Sequence, residues 1–564
     1  MIRLLSAFAA CLSAAACNGA LGPATTSAPM TGEGSSSHEL TGVTVFTGGK
    51  IYTGLDEPRT VEAVLVNANG RIVGTAPPHE SALGRDAVNV VDLGGAVMYP
   101  GFTDGHVHLL GVGQRELTLD LSGTQLLADL KARVAAEAER MPEDAIIFGR
   151  GWIETDWPEG RMPVAADLDA VAPDRPVILV RADGHALVAN SAALEAAGIG
   201  PDTPDPRGGK IERDVDGAAT GILIDNAMAP VMALMDAPDD DDLRRAYIEG
   251  ARVYAERGWT GVHNMSVPQT HAGILEELDR QGLLPLRIWN AYDKSGASLA
   301  SAHAHETDTI RNRAVKLYMD GALGSRGALL LKPYADRPDT SGLSLMSAEA
   351  LATEMERAAS EDYQLAIHAI GDRANRQVLD TFEAGGYGPE ERWRIEHTQI
   401  LAPPDIKRLA DLGLIASMQP SHAIGDLKFA PDRLGMVRLE GAYAWQSLLD
   451  AGAVVVGGSD APVEVGSPLI EYYAAVARED LEGNSGAGWH PEEAVSREAA
   501  LDMFTSAPAY AAFMEDDLGT IEPGKLADFT VFDRDLLTLP EDEILDADAV
   551  MTVLQGEIVW KSDG

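Results

Sequence analysis

Apolar segments of strand length recur along the middle of the chain, with helix-like stretches between them. This alternation limits the fold more than any other feature. The segments are Ala96–Phe102, Trp259–Asn264, Leu286–Tyr292, Ala314–Met319, Gln364–Ala369, Trp393–Thr398, Leu414–Gln419 and Val454–Ser459. Helical stretches such as Ser347–Glu361 and Pro404–Leu412 separate several of them. Hydrophobic runs of this length are the pattern of strands buried on both faces. Eight such strand–helix units imply an α/β fold, the (β/α)8 TIM barrel.

The interval between the first two segments is too long for one helix. Residues 116–257 therefore read as a large insertion after barrel strand 1, with an amphipathic helix over Gln125–Arg140. Trp152 and Trp157 lie in it, either as an aromatic wall over a site or as packing. The acidic run Asp239–Asp242 is expected to cap and solvate a helix starting near Leu243.

Short strands flank the body on both sides. Val43–Phe46, Lys50–Tyr52, Ala63–Val66, Arg71–Val73 and Val88–Val91 precede it, with Asn69-Gly70 as a hairpin turn. Phe529–Phe532, Ala549–Leu554 and Ile558–Trp560 follow it, the last two bracketing Gln555-Gly556. Strands at one end alone would leave an unpaired edge. Residues 40–98 and 514–564 are therefore expected to form one composite β-sandwich, with the barrel over 99–513.

The first residues have the parts of a secretory signal: Met1-Ile2-Arg3, then an apolar run from Leu4 to Ala16. Ala14-Ala15-Ala16-Cys17 has the form of a lipoprotein processing site, although position 14 is usually a larger aliphatic residue. Residues 1–17 then form the signal, with ordinary cleavage nearby as the alternative, and 18–39 a flexible linker. The expectation is an exported protein, periplasmic or held at the outer membrane by a lipid anchor at Cys17. The only two cysteines, Cys11 and Cys17, lie in this leader, so the body has neither a disulfide nor a thiol catalyst. With 44 basic and 87 acidic side chains the net charge is −43, which argues against nucleic acid and anionic lipid surfaces as partners.

Polar residues recur where the barrel segments end. His106-Val107-His108 follows the first; residues at i and i+2 of a strand point the same way, so the two imidazoles would face one side. Alone, the pair also fits a surface turn. Lys316 sits inside the apolar segment Val315–Met319, His368 ends Ala366–His368, His397 ends Arg394–His397, and Asp460 follows Val454–Ser459. Each has an ordinary structural role open to it: a hydrogen-bonded core histidine, a lysine reaching solvent, an aspartate capping a helix. Together they fall at the strand ends, where barrel active sites are built.

The order His-x-His, Lys, His, His, Asp resembles the amidohydrolase superfamily of metal-dependent hydrolases, in its amidohydrolase-3 or YtcJ-like branch. The matching motifs are Pro100–His108, Lys316–Arg326, His368–Arg373, Glu396–Gln399, Gly458–Pro462 and Gly519–Asp528, with Gly151-Trp152 and Arg181–His185 in the insertion. Asn264 stands where many relatives are expected to have Asp. The resemblance implies that His106, His108 and Asp460 hold one divalent ion and His368 and His397 a second. Lys316 would bridge them as a carbamate. The expected cofactor is zinc, as one or two ions, with manganese, iron or cobalt as alternatives. Asp460 would also be the catalytic proton carrier. Arg326, His185, Arg181 and His422 are the candidate substrate-binding residues; for Arg326 a structural ion pair is an equal reading. His263, His271, His303 and His305 read as supporting or surface residues.

The expected reaction is hydrolysis of a carbon–nitrogen bond in a small-molecule amide, N-acyl compound or cyclic amide. An esterase or a cyclic amidine deaminase on the same barrel, and a non-catalytic tethered binding protein, are the alternatives. Oligomeric state, including a homodimer, stays open.

Overall fold

The computed structural model describes residues 42–563 apart from 77–87, 143–144, 155–156, 182–185, 207–208, 236–237, 295–304 and 486–488. The leader, Cys17, His185 and His303 lie outside these residues.

The barrel strands are β1 (Phe102–Val107), β2 (Trp259–Val267), β3 (Arg287–Tyr292), β4 (Ile310–Tyr318), β5 (Gln364–Ala369), β6 (Arg394–His397), β7 (Ile415–Met418) and β8 (Val455–Gly457). They pair in chain order and in parallel, forming a nearly closed eight-stranded sheet. The last seam is bridged just beyond the strands. The Asp460 N–H donates to His106 O at 2.7 Å, and the His108 N–H donates to Ala461 O at 2.9 Å. Gly105 makes this approach feasible: a Cβ there would meet Val456 Cγ1 at 2.3 Å and Gly457 O at 2.5 Å.

The first barrel strand corrects the sequence reading. Ala96–Phe102 is one apolar run, but the chain changes sheets within it. Val97–Pro100 pairs with Phe529–Phe532 and with Val43–Tyr52, whereas β1 starts at Phe102 and carries His106 inside the barrel. The change is made at Gly101. Its N–H donates to Asp528 O at 2.8 Å, and a Cβ would lie 2.3 Å from Thr260 Oγ1. Both halves of the run are buried, so hydrophobicity alone does not mark the switch.

Strands from both chain ends form one eight-stranded sheet. Its order is Glu557–Lys561, Ala549–Leu554, Phe529–Phe532, Val97–Pro100, Val43–Tyr52, Thr60–Val66, Ile72–Ala76, with Val88–Asp92 beside Val43–Tyr52. Arg71 bridges back to Leu526, so the sheet curls into a sandwich around Phe46, Ile51, Met98, Phe529 and Val531. Phe102 joins this layer to the barrel, with ring centroids 5.6 Å from Phe532, 6.3 Å from Phe504 and 6.4 Å from Trp259. All four rings are buried. Burial of side chains this size contributes about 2–3 kcal/mol each, which fixes where β1 begins.

The insertion forms its own six-stranded sheet: Gly209–Arg213, Ala219–Asp225, Ala186–Ala189, Val177–Arg181, Ile147–Trp152 and Leu119–Asp120, in that order. The helix Leu127–Arg140 covers it through Leu130 and Val134. Trp152 and Trp157 are buried in this core, their indole N–H groups donating to Leu179 O (3.0 Å) and Thr124 O (2.8 Å). They are packing residues, not a wall over the site. The return helix runs Asp240–Glu256, starting earlier than the sequence reading placed it. Asp239 is its N-cap, with Asp242 completing a capping box. Among the described residues no helix is long and apolar enough to cross a membrane.

Candidate metal centre

His106, on β1, is fully buried, and its Nδ1 lies 2.6 Å from Glu396 Oε2. A carboxylate at that distance accepts a hydrogen bond from Nδ1–H, the tautomer that leaves the Nε2 lone pair free. That Nε2 is 3.4 Å from Asp460 Oδ1 and 3.4 Å from Lys316 Nζ. His108 repeats the arrangement: Nδ1 donates to Met265 O at 3.2 Å, and Nε2 lies 3.2 Å from the same Asp460 oxygen. His397 donates from Nδ1 to Gln419 Oε1 at 2.8 Å, again freeing Nε2. His368 Nε2 lies 3.4 Å from Asp320 Oδ1, and its ring centroid is 4.5 Å from that of His397.

Burial governs the charge states. It pushes His368 down to about 3, helped by the charge on Lys316. His397 falls well below the usual imidazole range through burial and then its neighbours His368 and His106. Both are neutral near pH 7, the form with a lone pair to give. Burial also lowers the Lys316 ammonium to about 8, against the opposing charges of Glu396 and Asp460. Burial alone would raise Asp460, but His106, with His108 and His397 beside it, holds its carboxyl well below the usual range.

Among the described residues two compact groups of donor atoms result: His106, His108 and Asp460, and His397, His422 and Asp460. Asp460 belongs to both. Imidazole nitrogens with free lone pairs around an ionised carboxylate suit a divalent ion such as zinc, so the residues present fit the metal that the family resemblance implies. Asp460 (φ +59), His397 (φ +73) and Thr398 (φ +43) adopt left-handed backbone. Such strain costs of order 1–3 kcal/mol per residue and is tolerated where geometry serves a site.

His422 sits closer to this centre than a residue chosen only for substrate contact. It lies on the helix Pro420–Asp426 after β7, with Nε2 3.6 Å from Asp460 Oδ2 and 3.8 Å from Glu464 Oε1. Arg326 is drawn into an ion pair instead: Nε and Nη2 reach Asp336 at 3.1 and 2.7 Å, and Asp336 also binds Arg433. Arg181 ends an insertion strand and pairs with Glu154 at 2.8 Å. Of the supporting histidines, His271 contacts Tyr247 OH and His305 contacts Glu276, both outside the centre.

Sequence reasoning singled out His263 and Asn264 but missed Arg394 and Asp320 in the layer beneath the proposed ligands. Arg394, fully buried two residues before Glu396 on β6, contacts Glu396, Gly105 O, Ser417 Oγ and His263 Nδ1. It pairs the carboxylate that orients His106, and Glu396 is held well below its usual range despite burial, by Arg394 and then His106. Two charged residues at i and i+2 of a buried strand were the available signal. Asp320 accepts N–H groups of Leu329, Ile370 and Gly371 at 2.8–3.0 Å, tying the loops after β4 and β5 together. Asn264 accepts the Leu109 N–H at 3.0 Å and starts a ladder through Asn290 to Asn312. Its amide thus positions the chain just after His108.

Comparison with known proteins agrees with this geometry. The amidohydrolase family model matches residues 89–560. The Bacillus subtilis protein YtcJ is 33% identical over 539 residues, covering 92% of this chain and 99% of its own. The N-substituted formamide deformylase of Arthrobacter pascens is 31% identical over 532 residues, covering 89% and 95%. The crystal structure of an uncharacterized metal-dependent hydrolase from Pyrococcus furiosus superposes with a TM-score of 0.71 at 29% identity, covering 88% of this chain and all of that one. Barrel, clustered strand-end donor residues and full-length likeness lead to one assignment: the chain belongs to the amidohydrolase family and is a metal-dependent hydrolase.

Proposed function

We propose that this hydrolase cleaves the carbon–nitrogen bond of a small neutral amide, with N-substituted formamides as the first substrates to try. The observation behind the reading is the convergence of His106 Nε2 and His108 Nε2 on Asp460 Oδ1, at 3.4 and 3.2 Å, beside the buried Lys316. The choice of formamides rests on the likeness to the Arthrobacter pascens deformylase.

His106, His108, Asp460, His368 and His397 would hold zinc or a similar ion, with His422 at the edge of the second group. When bound, the metal supplies a water of lowered pKa and polarises the scissile carbonyl. Lys316 supports the set as a carbamate. Its neutral amine, favoured by burial, bonds to CO2 and loses a proton, so a cation becomes an oxygen donor. Asp460 takes a proton from the attacking water as oxygen bonds to the carbonyl carbon. It returns the proton to the leaving nitrogen as the C–N bond breaks, giving an acid and an amine.

A cyclic amidine deaminase needs no bridging lysine, and the burial of Lys316 beside His106 favours the hydrolase. The leader Met1–Cys17 supports export, with a lipid anchor at Cys17. A panel of N-substituted formamides, N-acyl amines, cyclic amides and esters, assayed with defined metals, tests the reading. Faster turnover of formamides or amides than of esters is expected; deamination of cyclic amidines alone would replace it.

A further inference from the structure

Tyr318 ends β4 two residues beyond Lys316, so both side chains leave the strand on the same side. Lys316 is sealed in the barrel, whereas Tyr318 is 40% exposed at its mouth. The Tyr318 ring centroid lies 5.4 Å from that of His368 and 5.3 Å from Lys316 Nζ. From there the ring reaches across to β2, where its hydroxyl meets Ser266 Oγ in a short hydrogen bond. Ser266 has φ +56, a left-handed conformation that a serine adopts at some cost. The carbonyl just before it, Met265 O, is the one that orients His108. One strained irregularity in β2 thus holds both His108 and the hydroxyl of Tyr318.

We infer that Tyr318 is a further catalytic residue: its hydroxyl, fixed by Ser266, donates a hydrogen bond to the scissile carbonyl oxygen as negative charge develops there. The inference rests on the hydrolase reading above. Either hydroxyl can donate in this bond; with Ser266 Oγ–H as the donor, the phenolic hydrogen is left for the substrate. As the water oxygen bonds to the carbonyl carbon, the C=O π pair moves onto oxygen, opposite this donor. As the C–N bond breaks, the pair returns to the carbonyl and the nitrogen takes the proton carried by Asp460. Tyr318 keeps its own proton throughout. Ser266 is a positioning residue.

The test uses full-length, metal-loaded protein with N-benzylformamide as substrate. Calorimetric binding of phosphite, a tetrahedral mimic of a hydrated formyl group, is measured with formate as the planar control. Tyr318→Phe is expected to lower kcat by about 10²–10³-fold, as loss of one oxyanion donor does, with KM and metal content little changed. It should weaken phosphite binding more than formate binding. Ser266→Ala should give a smaller fall in kcat, and Ser266→Thr, which keeps the hydroxyl, should recover part of it. A kcat for Tyr318→Phe within about twofold of wild type overturns the inference, as does loss of bound metal from that variant. If wild-type protein hydrolyses no amide or formamide, the hydrolase reading fails separately. The phosphite titration then decides alone: equal affinity in wild type and Tyr318→Phe overturns the role of Tyr318, and weaker affinity in the variant supports it.

Discussion

Asp104 and Ser459 are joined twice across the barrel seam: Asp104 Oδ1 accepts the Ser459 N–H at 2.9 Å, and Oδ2 accepts the Ser459 hydroxyl at 2.6 Å. Asp104 stands two residues before His106, and Ser459 one residue before Asp460. Asp104 also accepts the His106 N–H at 3.0 Å and the Tyr254 hydroxyl at 3.0 Å. One buried carboxylate therefore sets the register between His106 and Asp460, the first and last of the proposed ligands.

Replacing it tests that register. Asp104→Asn keeps the volume and removes an acceptor. We expect metal affinity to fall by about 10–100-fold, the usual effect of losing an outer-shell partner, and stability to fall by about 1–3 kcal/mol. Chelator competition and urea unfolding read the two effects. Unchanged metal affinity would show that the seam holds without Asp104.

Glu396 links His106 to Arg394 in full burial. Glu396→Gln leaves the guanidinium without its counter-charge, and breaking a buried pair in this way costs about 3–5 kcal/mol. The variant is expected to unfold at lower denaturant and to bind metal more weakly. Wild-type stability in the variant would show that Ser417 and Gly105 O alone compensate Arg394.

His263 gives a prediction in pH. Burial, and then the charge of Arg394, hold its imidazole well below its ordinary range. The unfolded chain takes up a proton below about pH 6.5 that the folded chain refuses. The stabilisation is thus present above that pH and is lost as pH falls toward the folded value. His263→Gln keeps an acceptor for Arg394 without titrating. Between about pH 6.5 and 5, metal-free wild type should lose stability faster than the variant by up to about 1.4 kcal/mol per pH unit. Parallel curves would mean that His263 is protonated in the fold.

Lys316 tests the carbamate. Lys316→Met keeps the apolar stem and removes the amine, so bound metal and turnover should both fall sharply. Reconstituting wild type with added bicarbonate should recover more activity than reconstitution in CO2-depleted buffer. Equal recovery in the two buffers would count against the carbamate.

Much of the proposed ligand set could be picked out in the chain because it falls at strand ends, where apolar runs stop at a polar residue. His106, His108, His368, His397 and Asp460 read this way, whereas Lys316 stood out as a lysine inside an apolar segment. The supports were harder to see, because each depends on which strands face one another. Glu396 on β6 orients His106 on β1 across the barrel, and Asp104 on β1 grips Ser459 after β8 across its closing seam. The start of β1 was hidden for a different reason: the chain changes sheets at Gly101 inside an unbroken buried run. Tyr318 shares a face with Lys316 in any strand reading, but its hydrogen bond to Ser266 spans two strands and appears only in three dimensions.

The central claim is that the strand-end residues bind a catalytic metal. Elemental analysis of purified protein, before and after chelation, with turnover followed in parallel, tests it most directly. The account predicts one or two zinc-like ions per chain, loss of both metal and turnover on chelation, recovery of both on adding the ion, and neither in a His106→Asn/Asp460→Asn double variant. Full turnover in metal-free protein, or undiminished metal content in the double variant, would contradict it.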